Sequence, residues 1–315
     1  MILEKEARTL LRFWRHEKGQ SVVLFALLFP VILAFAGLAI DTGWFLHHKM
    51  KIQHASDLSA LAAAQHLPGN PSAASAEAVR MFEANFGQPT SISNINTFNS
   101  NRGIKVHYES DLPLLFMPLL GIQSVSLTGK AEAVVEFLSQ PAEVIPVAIF
   151  HTVPLVFGQQ TVIYGDNDTV GNFGLVDLSN GAISNSGDLT INDAITKWIA
   201  GGFTAADGVL PRTGQQVLTI TGKRSGPVDK GFDTRIAEGR TTVICPVADF
   251  SKAKSTSKVP ILGFAMFRAV SSELVGIGST ATVHIIGEFV EMIDPHAVTA
   301  PSAGAYGVKN IYLVK

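Results

Sequence analysis

The chain has 315 residues, of which 47% are hydrophobic and 16% charged, with a formal net charge of −2. That balance is too apolar for a disordered chain and too mixed for a polytopic membrane protein, and no positive excess draws it to nucleic acid. A single cysteine, Cys245, excludes an internal disulfide, and no Cys/His cluster forms a zinc scaffold.

Residues 1–20 form a basic segment carrying Lys5, Arg8, Arg12, Arg15 and Lys18. From Val22 to Ile40 there are 19 residues with neither a charge nor a polar side chain. As a helix they span roughly 29 Å, the hydrocarbon thickness of a bilayer. Pro30 and Gly37 lie inside the run, and membrane helices tolerate both. Asp41 closes it, and only Lys49 and Lys51 follow soon after. The excess of Lys and Arg before the span predicts a cytoplasmic amino terminus and an exported remainder, with a single pass between. Ala34-Phe35-Ala36 has the form of a signal-peptidase site, so a cleaved leader competes with an uncleaved anchor. Continuation of the apolar run to Ile40 favours the anchor.

The helical pattern does not stop at the membrane boundary. Asp41 to Leu67 lacks proline, and Ala60 to Ala64 is rich in the best helix former. Pro68-Gly69 ends it. A helix over 21–67 would project a stalk about 40 Å beyond the bilayer. Ala55, Ser59 and Ala63 make one stripe of small residues, and Ser56, Ala60 and Ala64 make its neighbour. Small stripes admit a second backbone at close range. The partner is either a helix of another chain, through self-association or a related protein, or the chain's own following domain.

Three strings in this region carry a family resemblance: Gly19-Gln20-Ser21-Val22, Ala39-Ile40-Asp41-Thr42-Gly43, and Lys51 to Ala62. Together they resemble the amino-terminal segment of the TadE/TadG-like Flp pilus-assembly proteins. Gln53, Ala55, Asp57, Ala60, Leu61 and Ala62 fall at the offsets of that family's motif. The resemblance covers residues 19–67. It implies a bacterial cytoplasmic-membrane protein whose partners are the lipid bilayer and other pilus-assembly proteins. Many TadG-like proteins carry a metal-binding adhesion domain with an Asp-x-Ser-x-Ser run. Here the nearest string, Asp177 to Gly181, has glycine at the last position.

Residues 68–139 read as a small α+β domain. Asn70-Pro71 starts a helix with Ala78, Val79, Phe82 and Phe86 on one face, stopped by Gly87 and Pro89. Ile104 to Tyr108 is a strand. Leu112 to Leu120 is apolar but contains Pro113 and Pro118, so it reads as a short helix or an irregular plug. Two further strands, Gln123–Leu127 and Ala131–Leu138, flank Thr128-Gly129-Lys130.

Residues 140–315 read as a β-rich exported domain. The strands are Val144–Phe150, Phe173–Leu178, Val217–Thr221, Arg240–Val247, Val259–Val270, Thr280–Ile293 and Tyr306–Val314. Val259–Val270, apolar on both faces, reads as a central strand. Helices interrupt at the cap Thr190-Ile191-Asn192-Asp193 and near Val228 to Glu238.

The catalytic patterns fail on context. Gly276-Ile277-Gly278 opens a loose dinucleotide pattern, but a β-like run follows it where a helix is needed. Gly129-Lys130 and Gly222-Lys223 lack the earlier glycine of a phosphate loop. His47 and His48 are adjacent, so their side chains diverge by about 100°. Asp166 and Asp168 are weak candidates for a calcium loop without a bidentate glutamate. Cys245 reads as a buried hydrophobe. The expectation is a membrane-anchored scaffold without catalytic residues or cofactor. The alternative is a membrane-anchored extracytoplasmic hydrolase or ligand-binding module unrelated to pili.

Overall fold

The computed structural model describes residues 17–87, 91–164, 174–179, 181, 190–222, 224–253, 257–276 and 281–314. The first element, α1 (Glu17–Ala64), is one helix of 48 residues with Pro30 inside it. Its two halves differ in environment. From Ser21 to Ile40 every residue but Gly37 is exposed. Beyond that point burial recurs at Asp41, Ile52, Ala55, Ser56, Ser59, Ala60, Ala63 and Ala64, which is the spacing of one helical face. An 18-residue window of this helix has a mean hydropathy of 2.8 and is only 6% buried, so α1 is long and apolar enough to cross a membrane. The second half is therefore not a free stalk; it lies on the domain that follows.

Helix α2 (Pro71–Phe86) starts as its sequence requires. The Asn70 side chain accepts the Ala73 N–H at 3.0 Å, and proline occupies the first helical position. Gly87 ends it in the left-handed conformation, φ 75°, which a side chain would strain. Ala74, Ala78, Phe82 and Phe86 form the buried face, with Val79 half-buried beside it.

Strands β1 (Ser91–Phe98), β2 (Gly103–Pro113) and β3 (Ser124–Gln140) follow, with a 3-10 turn at Met117–Leu120. Next come β4 (Glu143–Val144), β5 (Ile149–Phe150), β6 (Gln160–Val162) and β7 (Leu175–Asp177). Helix α3 (Ile191–Gly201), β8 (Phe203–Thr204), β9 (Gln216–Ile220) and helix α4 (Ser225–Ala237) lead to the long strands β10 (Thr242–Ala248), β11 (Lys258–Val275) and β12 (Thr282–Val290). The chain closes with β13 (Met292–Ile293), β14 (Val298–Ala300) and β15 (Val308–Val314).

The described strands form two main sheets. One runs β1-β2-β3-β15-β13, with β14 also on β3; the other runs β5-β10-β11-β12-β6, with β9 joining β11 to β7. The first sheet packs its alternating residues Leu127, Ala131, Ala133, Val135 and Phe137 against α1 and α2. The second holds a separate core of Phe267, Phe289, Ile285 and Val247 beneath α3 and α4. The architecture is thus a long apolar amino-terminal helix, a small helix, and a mostly β remainder.

Three features differ from, or add to, the sequence reading. Ser124–Gln140 forms one strand of 17 residues, not two around a Thr-Gly-Lys turn. Strands β13–β15 return from the carboxyl terminus, across the expected border at 139/140, to the first sheet, where β15 pairs with β3 from Lys309↔Phe137 to Val314↔Glu132. Strand β1 was not expected at all: Ser-Ile-Ser-Asn-Ile-Asn-Thr is too polar for an alternating pattern, and pairing with β2 holds it.

Candidate membrane-proximal site

The site is built where α1 leaves its exposed apolar half. Asp41 is 3% exposed there. Its Oδ1 accepts the Leu115 N–H at 2.8 Å, and its Oδ2 accepts those of Phe116 and Met117 at 3.0 and 2.8 Å. One carboxylate thus holds three consecutive backbone donors at the start of the 3-10 turn. These are the groups that a short helix leaves unsatisfied, and a charged acceptor suits that end. One turn earlier on α1 is Gly37. A Cβ there would lie 2.9 Å from Cβ and Cγ of Phe116, so the absent side chain lets the loop lie on the helix.

The docking face continues along α1. Lys49 Nζ donates to the Thr128 carbonyl at 2.6 Å. Gln53 Nε2 donates to the Lys130 carbonyl at 2.7 Å and to Asp57 Oδ1 at 2.8 Å, while Gln53 Oε1 accepts the Lys130 N–H at 3.4 Å. Between these contacts lies Gly129. A Cβ at Gly129 would meet Ser56 Oγ at 2.2 Å and the Ile52 carbonyl at 2.8 Å. The glycine that reads as a turn signal is instead a mid-strand clearance for the helix backbone.

Deeper still, Ser59 Oγ donates to the Ala78 carbonyl at 2.8 Å and lies 2.6 Å from the Tyr108 hydroxyl, which itself reaches the same carbonyl at 3.0 Å. The Tyr108 ring stacks on Phe82 at 3.6 Å between centroids. Burial pushes the Tyr108 hydroxyl above its ordinary pKa, and the Ser59 bond opposes the rise. At the far end Lys309 of β15 donates to the Gln65 carbonyl at 2.7 Å, a cation against the carboxyl end of α1.

Of the two partners open to the small-residue stripes, the structure shows contact with the chain's own domain. Ala55, Ser56, Ser59, Ala60, Ala63 and Ala64 are all buried within the chain, against α2 and the first sheet. Self-association through them would require that packing to come apart. The close approach that small residues permit is used, but by the chain's own domain.

The other expected residues separate. Asp166 and Asp168 lie outside the described residues, as do parts of the Gly276–Ala281 string. Asp177 spends its carboxylate on a local turn, accepting from Ser179 N and Oγ and from Gly181 N. His48 Nδ1 lies 3.0 Å from the Trp44 carbonyl and its ring packs on the Trp44 ring. Cys245 is fully buried, and burial pushes its thiol pKa up. Among the described residues no group of three His, Cys, Asp or Glu side chains is placed to hold a metal.

Residues missed by sequence reasoning include Gly129, Tyr108 and Lys309, which join elements far apart in the chain. The apolar run Leu112–Leu120 reads as a short helix or an irregular plug, but nothing in the sequence shows its attachment to Asp41.

Helix α1 carries the decisive comparison. Residues 19–66 match the family model of the putative Flp pilus-assembly TadE/G-like proteins. The match ends two residues beyond α1, and the rest of the fold lies outside it. Neither a curated protein nor a solved structure matches the chain. Within the TadE/G-like segment, Gln53 bonds the helix to β3 and is itself held by Asp57, while Ala55 and Ala60 are buried where the helix lies close.

Proposed function

We propose that the chain is a single-pass, non-catalytic component of a Flp-type pilus-assembly or related secretion machine. In this reading Val22 to Ile40 spans the bacterial cytoplasmic membrane, residues 1–20 stay in the cytoplasm, and the folded part stands outside. It acts by scaffolding: it holds a β-rich surface at a set height and orientation for other assembly proteins.

One observation carries the reading. The exposed apolar half of α1 runs without a break into the half that is locked to the first sheet. No linker separates them, so the domain cannot swing freely on its anchor. A tethered enzyme gains little from such rigidity, whereas an assembly part needs its surface at a fixed geometry. The TadE/G-like match over the same helix supports the pilus context.

The test is an in-frame deletion in the source bacterium, scored by electron microscopy for surface filaments. Loss of filaments, restored by the full chain but not by a chain with a flexible Gly-Ser insertion between Thr42 and Gly43, is the expected result. Filaments in undiminished number after deletion would overturn the assembly role. Full rescue by the insertion would overturn the rigid-scaffold mechanism.

A further inference from the structure

The loop Leu114–Ile122 has no charged residue, and none occurs from Leu112 through Gly129. Its large side chains are turned outward: Leu119 is 86% exposed, Leu120 73%, Leu115 57% and Ile122 47%. Such a patch on a protein in water is a liability. This one does not lie on the body of the domain. It lies against α1 at Gly37 and Asp41, where the exposed apolar span ends. Gly37 is three residues inside Ile40, so Phe116 sits roughly 4.5 Å below that end of the span.

We infer that Leu114–Ile122 is embedded in the leaflet nearest the folded domain and forms a second contact with the lipid bilayer beside α1. The inference rests on the anchor reading of Val22 to Ile40. Its chemical support is the state of the loop backbone. Hydrocarbon offers no hydrogen bonds, so an irregular segment can enter it only if its own polar groups are satisfied. The Leu114 N–H donates to the Gln123 carbonyl, and those of Leu115, Phe116 and Met117 to Asp41. The N–H groups of Leu119, Gly121 and Ile122 donate to carbonyls within the turn, and Pro118 has none to satisfy. Asp41 thus satisfies three N–H groups of the loop that hydrocarbon could not. Trp44, one turn further along α1 and 38% exposed, stands where an interfacial aromatic belongs. Two membrane contacts, a helix and a loop, restrain the tilt of the domain relative to the bilayer more than one helix alone does.

The experiment uses the full-length protein in phosphatidylcholine vesicles. Native Cys245 is buried, so a new exposed cysteine takes an environment-sensitive fluorophore selectively. Leu119→Cys reports the loop, Leu27→Cys the span, and Ser72→Cys the distant start of α2. Quenching is measured with phospholipids spin-labelled on the acyl chain and with aqueous iodide. The expected result is that the position 119 label loses fluorescence to the acyl-chain quencher as strongly as the position 27 label does. It resists iodide, and the position 72 label shows the reverse. Iodide quenching at position 119 equal to that at position 72 would place the loop in water and overturn the inference while leaving the anchor intact. Protection from both quenchers would assign the loop to a protein contact, a second copy of this chain, and also overturn it. Failure of lipid quenching at position 27 would overturn the anchor reading and the inference together.

Discussion

Asp41 shows how much one side chain can organise. An asparagine in its place keeps one acceptor oxygen and turns the other position into a donor NH2, so Leu115 on one side and Phe116 and Met117 on the other cannot all be held. Asp41→Asn is expected to leave the domain folded but free the loop, read as faster amide hydrogen exchange at 115–117 with little change in the second sheet. Gly129→Ala tests the helix clearance. The new methyl group collides with backbone at Ile52, so an overpacking loss of about 1–3 kcal/mol is expected in thermal or denaturant unfolding. Ser59→Leu should cost a similar amount in the same measurement, whereas Ser59→Ala should be milder because the Tyr108 hydroxyl still reaches the Ala78 carbonyl. Asp207 supplies a pH dependence. Burial raises its pKa, but bonds from Lys197 and from the N–H and hydroxyl of Thr204 outweigh that and hold it below the ordinary value. Its contribution is therefore complete above the unfolded pKa, near 3.9, and lost as pH falls through the lower folded value. Stability measured between pH 5 and pH 2 should fall less steeply in Asp207→Asn than in the native chain.

At the scale of elements, the sequence was most legible where one residue type does one local job. The cap at Asn70, the stop at Gly87 and the Thr190 cap each sit where local chemistry demands, and the helices begin and end there. The alternation in β3 was legible too, but its glycine was not. Gly129 is needed because a helix from 70 residues earlier crosses the strand, and no local window contains that helix. The stripes on α1 show the same limit. Small residues announce a close neighbour but not which one, and the choice was made by Ala78, Tyr108 and Gly129. Arg235 on α4 was equally hidden. It is buried and donates to the Ile199, Arg240 and Thr242 carbonyls as well as to Glu143. Arg235→Met should destabilise the second sheet by about 1–3 kcal/mol through orphaned buried acceptors, measured by denaturant unfolding.

On the scale of the molecule, the anchor helix is also a core element. Ile52, Ala55, Ala60 and Ala63 share one cluster with Phe82, Tyr108 and Leu127. A fragment starting at Asp41 should therefore fold completely. A fragment starting at Asn70 should keep the second sheet but leave the first open, binding hydrophobic dye and losing its first strands to limited proteolysis. Topology is open to the same tool. Protease added to intact protoplasts should digest residues beyond Asp41 and spare a fragment through Ile40.

The pairing of β15 with β3 sets an order on biosynthesis. Ribosomes make α1 first, while nearly all of the remaining chain is still unmade. Yet β3 keeps an open edge from Glu132 to Phe137, and the Gln65 carbonyl lacks its lysine donor, until Val308 to Val314 arrive. The first domain to emerge is thus the last to close. Under the topology proposed above, the nascent chain carries a half-built sheet beside the membrane throughout its export, with one strand edge still open to any other strand.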